Sequence, residues 1–258
     1  MIEETPTMKF RLRPLAALLL GLIAGTAQAG ATDEVAYASL GGATVSFTEL
    51  AANAFDSVLI DGLLSSGGVQ FGERFAGQEL AVAKAPRPGE VAQDWFDDLS
   101  FGSPTAGLAL LAGAAGANLG AYHYGDADGA ALFGMGPLAG AADGFGAISA
   151  RFASPVSALG LQLRDADGGA VTLSLFRADG SLVEAVDLGG RSDGRYAFAR
   201  TGGAADIAGF TLTNRDSYYG VSIDNLVLVA APVPEPASAL LLVPGLLAVA
   251  AMARRRNR

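Results

Sequence analysis

The run Leu159-Gly160-Leu161-Gln162-Leu163-Arg164 gives the clearest indication of the fold. Its leucines alternate with Gly, Gln and Arg, which is the period-two pattern of a β-strand with one buried face. The turn residues Asp165-Ala166-Asp167-Gly168-Gly169 follow, and Val171-Thr172-Leu173-Ser174-Leu175-Phe176 then repeats the alternation. Two alternating runs separated by an Asp- and Gly-rich turn predict two β-strands between which the chain turns.

Further strands are predicted on both sides of this pair. Asp179-Gly180 supplies a hairpin turn, and strand-like runs occur at residues 44–50, 58–64, 182–188, 195–200, 207–213 and 221–229. In the second half their spacing of roughly ten residues favours an antiparallel β-sandwich of jelly-roll type. Residues 106–115 are rich in Ala and Gly, and both a short helix and a buried strand pair remain open there. We therefore predict one all-β domain over residues 30–231.

Both ends of the chain are predicted to be targeting segments. Met8 starts a better signal peptide than Met1, because a cationic stretch, an apolar stretch and the Ala27-Gln28-Ala29 cleavage motif follow it. Cleavage would leave Gly30 as the mature N-terminus, so residues 1–29 form the predicted signal helix. This leader predicts export through the Sec translocase.

The C-terminal segment, residues 232–258, combines three features. Val233-Pro234-Glu235-Pro236 is a proline-rich spacer that cannot continue a helix. Residues 237–253 form an apolar stretch that would span roughly 25 Å as a helix, slightly less than the bilayer core. Arg254, Arg255 and Arg256 follow it and are expected to remain on the cytoplasmic side. We predict a transmembrane helix at 237–253 that holds the precursor in the inner membrane.

These three features resemble the PEP-CTERM sorting signal of Gram-negative bacteria, which is also labelled an ice-binding protein C-terminal domain. The resemblance covers residues 232–258 only. It implies that exosortase, a membrane protease, recognises the segment and cuts near the Pro-Glu-Pro motif. It also implies a surface or extracellular protein associated with biofilm or exopolysaccharide. An ordinary membrane anchor that is never processed is the alternative.

Composition restricts how the exported region can work. The chain has no cysteine, so disulfides cannot stabilise it. Without the two terminal segments, which hold seven basic and three acidic residues, 10 basic and 23 acidic residues remain, a net charge of −13. Such a surface repels nucleic acid and anionic membranes and attracts divalent cations. We predict no nucleic-acid partner.

Parts of the exported region also resemble extracellular sandwich domains and the jelly rolls of carbohydrate-binding modules. The similarity rests on Phe152-Ala153-Ser154-Pro155-Val156, on the Asp179-Gly180 hairpin and on Val221-Ser222-Ile223-Asp224-Asn225-Leu226. In some of those jelly rolls the aspartate of the last strand helps to hold a structural calcium ion. The resemblance therefore implies the same role for Asp224.

Carboxylates are the candidate metal ligands of this chain. Asp126-Ala127-Asp128-Gly129 and Asp165-Ala166-Asp167-Gly168 place two acids around a tight turn, which suits a hard cation such as calcium. The alternative is that they are hairpin turns that use Asp and Gly for their backbone preferences. For Asp224 the expected partner is an acid from an early strand, namely Asp33, Asp56 or Glu73, and the alternative is a solvated Asp-Asn pair. No cofactor other than calcium is predicted.

The sequence contains no recognisable catalytic constellation. His123 is the only histidine, and no G-x-S-x-G motif accompanies it, so we predict a packing or surface role for it and no enzymatic activity. Trp95 lies among three acids in Asp94-Trp95-Phe96-Asp97-Asp98 and is the candidate for stacking on sugar rings; a buried core tryptophan is the alternative.

Three functions follow from these residues. The first is a non-catalytic structural role outside the cell, associated with exopolysaccharide. The second is a carbohydrate-binding module, with or without calcium. The third is a secreted hydrolase that uses paired carboxylates, because many acids of this chain have no assigned role.

Overall fold

The computed structural model describes residues 31–50, 53–84, 95–137, 145–166, 169–216 and 220–230. These ranges contain seventeen β-strands and one 3-10 turn, Tyr37–Ser39. All strand pairs in them are antiparallel, for example the pair in which Leu161 lies opposite Tyr196. The predicted all-β, antiparallel class is confirmed.

The strands are numbered in chain order. They are β1 Thr32–Val35, β2 Ala43–Val45, β3 Ser57–Ile60, β4 Leu64–Ser66, β5 Val69–Gly72, β6 Arg74–Phe75, β7 Gln78–Lys84, β8 Trp95–Gly102, β9 Leu110–Leu111, β10 Leu119–His123, β11 Ala130–Gly134, β12 Ile148–Arg164, β13 Gly169–Phe176, β14 Leu182–Asp187, β15 Gly194–Arg200, β16 Ile207–Asp216 and β17 Ser222–Ala230.

Thirteen of these strands form one sheet. Its main path runs β14-β13-β16-β12-β17-β11-β10-β3, and β1, β2, β4, β5 and β15 attach to it as branches. Two separate pairs, β6 with β9 and β7 with β8, complete the described structure. The β7 and β8 hairpin packs against β16 through β8.

Strand β12 organises the large sheet because its seventeen residues change partners along their length. Its first part, from Ile148 to Phe152, lies between β16 and β5, whereas its last part pairs with β15 and β17. The register with β16 shifts between Arg151 and Val156, where Pro155 has no backbone N–H to donate. The irregularity divides one long strand into two pairing regions.

Alternation of apolar and polar side chains builds the core. Leu159, Leu161 and Leu163 of β12 are fully buried, and Leu173 of β13 lies in the same cluster. Phe71 of β5 also belongs to this core, so distant parts of the sheet share it. A smaller cluster is formed by Phe75, Leu108, Phe176 and Ala208. Apolar packing is thus the main source of stability in a chain that lacks disulfides.

The strands predicted in the second half of the chain agree closely with the structure, whereas those predicted in the first half do not. The prediction of one strand over residues 44–50 is wrong, because β2 ends at Val45. Phe47 then adopts a left-handed backbone conformation before a turn. The predicted strand at residues 58–64 is interrupted by residues 61–63, which lie between β3 and β4. In residues 106–115 the structure shows turns and the two-residue β9 instead of a helix.

The targeting segments lie outside the described residues. This applies to residues 1–29 with the Ala27 and Ala29 cleavage motif, to Gly30, and to the sorting segment 232–258. Within the described ranges no helix is long and apolar enough to cross a membrane.

The position of Leu161 in the core leads to a stability prediction. Leu161→Ala removes a fully buried side chain from β12, and we expect the free energy of unfolding to fall by roughly 3 kcal/mol, since both apolar transfer and cavity terms are lost. The matched control is Leu59→Ala, because Leu59 is 54% exposed on β3 and should change stability by less than about 1 kcal/mol. Urea unfolding of both variants checks this, and equal losses would contradict the assigned core.

Candidate functional site

Two polar sites stand out in the described structure. The first, here called the carboxylate and arginine cluster, contains Asp126, Asp128, Gln162, Arg164, Arg195, Asp224 and Asn225. The second, here called the β13/β16 cleft, lies between the main sheet and the β7 and β8 hairpin. They use different strands and have different chemistry.

A β-bulge positions the carboxylate and arginine cluster. Asp224 pairs with Gln162, and Val227 pairs with Gly160, so β17 holds one more residue than β12 in this interval. Asn225 adopts a positive φ of 45°, and its side-chain amide donates to Gln162 Oε1 at 3.0 Å and to Asp224 Oδ2 at 3.1 Å. Bulges commonly redirect side chains in this way.

Arginines neutralise the two acids of the 126–129 turn. Arg164 Nη2 donates to Asp126 Oδ2 at 2.8 Å, and Arg195 Nη2 donates to Asp128 Oδ1 at 2.8 Å. Gln162 Nε2 donates to the other Asp128 oxygen at 2.9 Å. The turn acids are therefore the anionic part of a hydrogen-bonded network that joins the 126–129 turn to β12 and β15.

Asp224 is the buried acid of this cluster. Asp224 is 0% exposed, and its pKa is raised to about 7, mainly by burial. The hydrogen bond from the Asn225 N–H and the charge of Arg164 lower this pKa. The charges of Asp128 and Asp126 raise it. Tyr37 Oη donates to the backbone carbonyl of Asn225 and so covers the bulge. Near neutral pH the carboxyl of Asp224 is consequently poised between its charged and neutral forms.

The structure brings three of the five predicted metal residues into the cluster and places a fourth beside it in sequence. Asp126, Asp128 and Asp224 lie in the cluster, and Asp165 is next to Arg164 and accepts from Tyr124 Oη at 3.1 Å. Asp167 lies outside the described residues. Among the residues that the structure describes, no group of three or more His, Cys, Asp or Glu side chains is arranged to hold a metal ion. The calcium hypothesis stays a prediction.

The early-strand acids have other contacts. Asp33 Oδ2 accepts a hydrogen bond from Thr201 Oγ1 at 2.9 Å. Asp56 Oδ2 accepts one from the Asn53 side chain at 2.7 Å. Glu73 forms an ion pair with Arg74. The acids whose charges act on Asp224 are Asp126 and Asp128 instead. The sequence could not show this, because the 126–129 turn is almost a hundred residues away from Asp224.

The β13/β16 cleft has a volume of about 500 Å³ and a lining of mixed polar and apolar residues. Described residues that line it are Gln78, Asp97, Leu99, Gly102, Ser103, Ala170, Thr172, Ser174, Phe176, Leu182, Thr211 and Thr213. A cavity of this size accommodates a small organic ligand or a few sugar units.

A row of hydroxyl groups forms the surface that the main sheet presents to the cleft. Thr172 pairs with Thr213 across β13 and β16, and Ser174 pairs with Thr211. The intervening residues, such as Leu173 and Leu212, point into the core. The same period-two alternation that builds the core therefore places four hydroxyls side by side on the opposite face.

Asp97 of β8 is the single acid among the described lining residues. It is 1% exposed, its Oδ2 accepts the Ala147 N–H at 3.3 Å, and its Oδ1 has no hydrogen-bond partner among the described residues. The pKa of Asp97 is raised to about 7, mainly by burial and also by the charge of Glu73, while the Ala147 N–H and the charge of Arg74 act in the opposite direction. A buried carboxyl oxygen without a partner is energetically unfavourable, so it requires an explanation.

Hydrogen bonds fix the wall beside Asp97. Gln78 Oε1 accepts the Phe75 N–H at 2.8 Å, and Gln78 Nε2 lies 3.4 Å from Thr211 Oγ1. Thr211 Oγ1 is 2.9 Å from Ser149 Oγ, which donates to the Glu73 carbonyl at 3.1 Å. The cleft is thus held in shape before any ligand arrives.

The remaining predicted residues are placed as follows. Trp95 is the first residue of β8, two positions before Asp97, and its side chain lies outside the described structure. His123 ends β10, and its Nδ1 accepts the Gly125 N–H at 2.9 Å. Its ring therefore stabilises a turn. The residues that the sequence reasoning missed are Gln78, Asp97 as a separate candidate, and the hydroxyl row.

Comparison with known proteins gives no assignment. No protein-family model matches the sequence, and no curated protein is significantly similar to it.

Burial of Asp224 leads to a prediction on pH and stability. A raised folded-state pKa contributes stability that is complete below the unfolded pKa and is lost as pH rises through about 7. The free energy of unfolding of the wild type should therefore fall between about pH 5 and about pH 8. In Asp224→Asn we expect this fall to be smaller by on the order of 2 kcal/mol. Urea unfolding at both pH values measures it.

Asp206→Asn is the matched control for this measurement. Burial opposes ionisation of Asp206, but hydrogen bonds from Arg200 and Arg177 outweigh it and lower its pKa. Its contribution is lost only as pH falls through that lowered value, so the dependence between about pH 5 and about pH 8 should match the wild type. If both variants kept the wild-type dependence, Asp224 would not be the titrating group.

Proposed function

We propose that this chain is an exported, non-catalytic protein of the cell surface or extracellular matrix that binds exopolysaccharide through the β13/β16 cleft. The supporting observation is the cleft itself, which is lined by a row of hydroxyl residues and by a buried aspartate with one unpartnered carboxyl oxygen. The cleft combines polar groups, namely hydroxyls, an amide and a carboxyl, with the apolar side chains of Phe176 and Leu182. This combination matches the polar and apolar surfaces of a sugar ring.

Delivery is the second part of the proposal. The leader at residues 1–29 would direct the chain to the Sec translocase, and residues 232–258 would hold it in the inner membrane until exosortase processes it. An acidic exported region without disulfides, with Lys84 as its one lysine, fits an extracellular matrix of hydrated polymers. The finer fold assignment, a jelly-roll-like β-sandwich, is also part of this proposal and is supported by the change of partners along β12.

Carboxylate-dependent hydrolysis is the second candidate, and one observation favours it. Asp97 and Glu73 are both buried, and the charge of Glu73 raises the pKa of Asp97. A pair of acids with different ionisation is what glycoside hydrolysis requires. Glu73 is held by Arg74 and is not among the described lining residues, so binding without turnover is the better supported function.

Filling the cleft tests the binding function. Ser174→Trp places a large side chain on the hydroxyl row, and we expect binding to a glycan array to fall at least about tenfold because the ligand is sterically excluded. Thr44→Trp on the exposed face of β2 is the control and should bind like the wild type. Wild-type binding by Ser174→Trp would exclude the cleft as the glycan site, and release of reducing ends from bound glycans would favour the hydrolase.

Mass spectrometry of the native protein tests the delivery pathway. We expect the exported product to begin at Gly30 and to end near Glu235, because both hydrophobic segments are removed during export and sorting. Substitution of Glu235 by Ala should leave the C-terminal segment attached. An exported product that still contains Arg258 would instead indicate an unprocessed membrane anchor.

A further inference from the structure

We propose that the β13/β16 cleft selects glycan units that carry a primary ammonium group over units that carry a carboxylate or only neutral substituents. This inference rests on the proposed glycan-binding function and adds the chemical class of the ligand. Amino sugars with a free amine are the units that have this chemistry.

The charge distribution around the cleft favours a cation. Asp97 is the one ionisable group among the described lining residues, and none of those residues is a lysine or an arginine. Glu73, also buried, acts on Asp97 with a second negative charge. Arg74 is paired with Glu73, so a ligand carboxylate would approach Asp97 with no cation among the described lining residues, which is unfavourable at low dielectric.

The free hydrogen-bonding capacity of Asp97 points to the same ligand. Its Oδ2 already accepts the Ala147 N–H, whereas its Oδ1 has no partner among the described residues and requires a donor. An ammonium group has three donors and forms charge-assisted hydrogen bonds that are roughly twice as strong as those of a neutral hydroxyl. The hydroxyls of Thr172 and Thr213 can bind the remaining sugar hydroxyls as donors or as acceptors.

Ionisation of Asp97 should make this selection sensitive to pH. The charged groups that act on Asp97 from neighbouring elements are Glu73, which raises its pKa, and Arg74, which lowers it. With a pKa of about 7, the carboxyl is largely neutral at mildly acidic pH, while an amine on the ligand is still protonated. Ammonium selectivity is therefore present near neutral pH and weakens on acidification.

Calorimetric titration with three tetrasaccharides tests the proposal. The probes are the glucosamine tetramer, the N-acetylglucosamine tetramer and tetragalacturonate, used with the exported protein at about 0.15 M salt so that the acidic surface is screened. At about pH 7 we expect the glucosamine tetramer to bind at least about tenfold more tightly than its N-acetylated form, and tetragalacturonate not to bind measurably. At about pH 5 the preference should fall below about threefold.

Two variants and one control assign the effect to Asp97. Asp97→Asn should bind both hexosamine tetramers with similar affinity, whereas Thr213→Val should weaken both and keep their ratio, because it leaves the carboxyl in place. Asp56→Asn changes an exposed acid on the surface and should behave like the wild type. Circular dichroism checks that each variant is folded, and the pH series of the wild type provides the same test if Asp97→Asn is not.

Each result bears on the proposal in a distinct way. Equal binding of the two hexosamine tetramers by the wild type would overturn the ammonium selectivity and leave glycan binding intact. A preference that persists in Asp97→Asn would attribute the effect to the acidic surface and overturn the role of the cleft. If none of the three tetramers bound, both the proposed glycan binding and the inference built on it would be wrong.

Discussion

Pairing of β12 with different strands along its two edges is the constraint on which the rest of the structure depends. The strand spans Ile148–Arg164; its first part pairs with β5 and β16, pairing with β16 ends at Val156 just after the irregularity, and the last part pairs with β15 and β17. Four neighbours are thus held in register by one continuous backbone. Without disulfides, this shared strand and its row of buried leucines must fix how the parts of the sheet meet.

The cleft is a consequence of the same alternation that fills the core. When Leu173 and Leu212 point into the core, their neighbours on β13 and β16 must point the other way. Those neighbours are threonines and a serine, so the outer face is polar but uncharged. The β7 and β8 hairpin then covers part of that face and brings the carboxyl of Asp97 to it.

Sequence reasoning recovered the fold class and the strands of the second half, because alternation there is strong and the turns contain Asp and Gly. It failed at β10 and β11, which consist largely of Ala, Gly and Leu. Such residues give no clear alternation of apolar and polar side chains, so the period of a β-strand cannot be recognised. The acids expected beside Asp224 were Asp33, Asp56 or Glu73, whereas Asp126 and Asp128 are the acids whose charges act on it. The arginines between them could not be foreseen, since such contacts join residues far apart in the chain.

Asp97 and Asp224 are both buried acids with a pKa of about 7, yet only one of them suggests a ligand site. Both oxygens of Asp224 accept hydrogen bonds from Asn225, and Arg164 lies close enough to compensate part of its charge. Because both of its oxygens already accept, Asp224 stabilises one arrangement of strands and offers no unpartnered acceptor. Asp97 retains an acceptor at the wall of a cleft whose other groups are already fixed by Gln78 and Ser149. Because desolvation of that oxygen has no compensation within the described structure, a donor from outside is the simplest physical reason for its position.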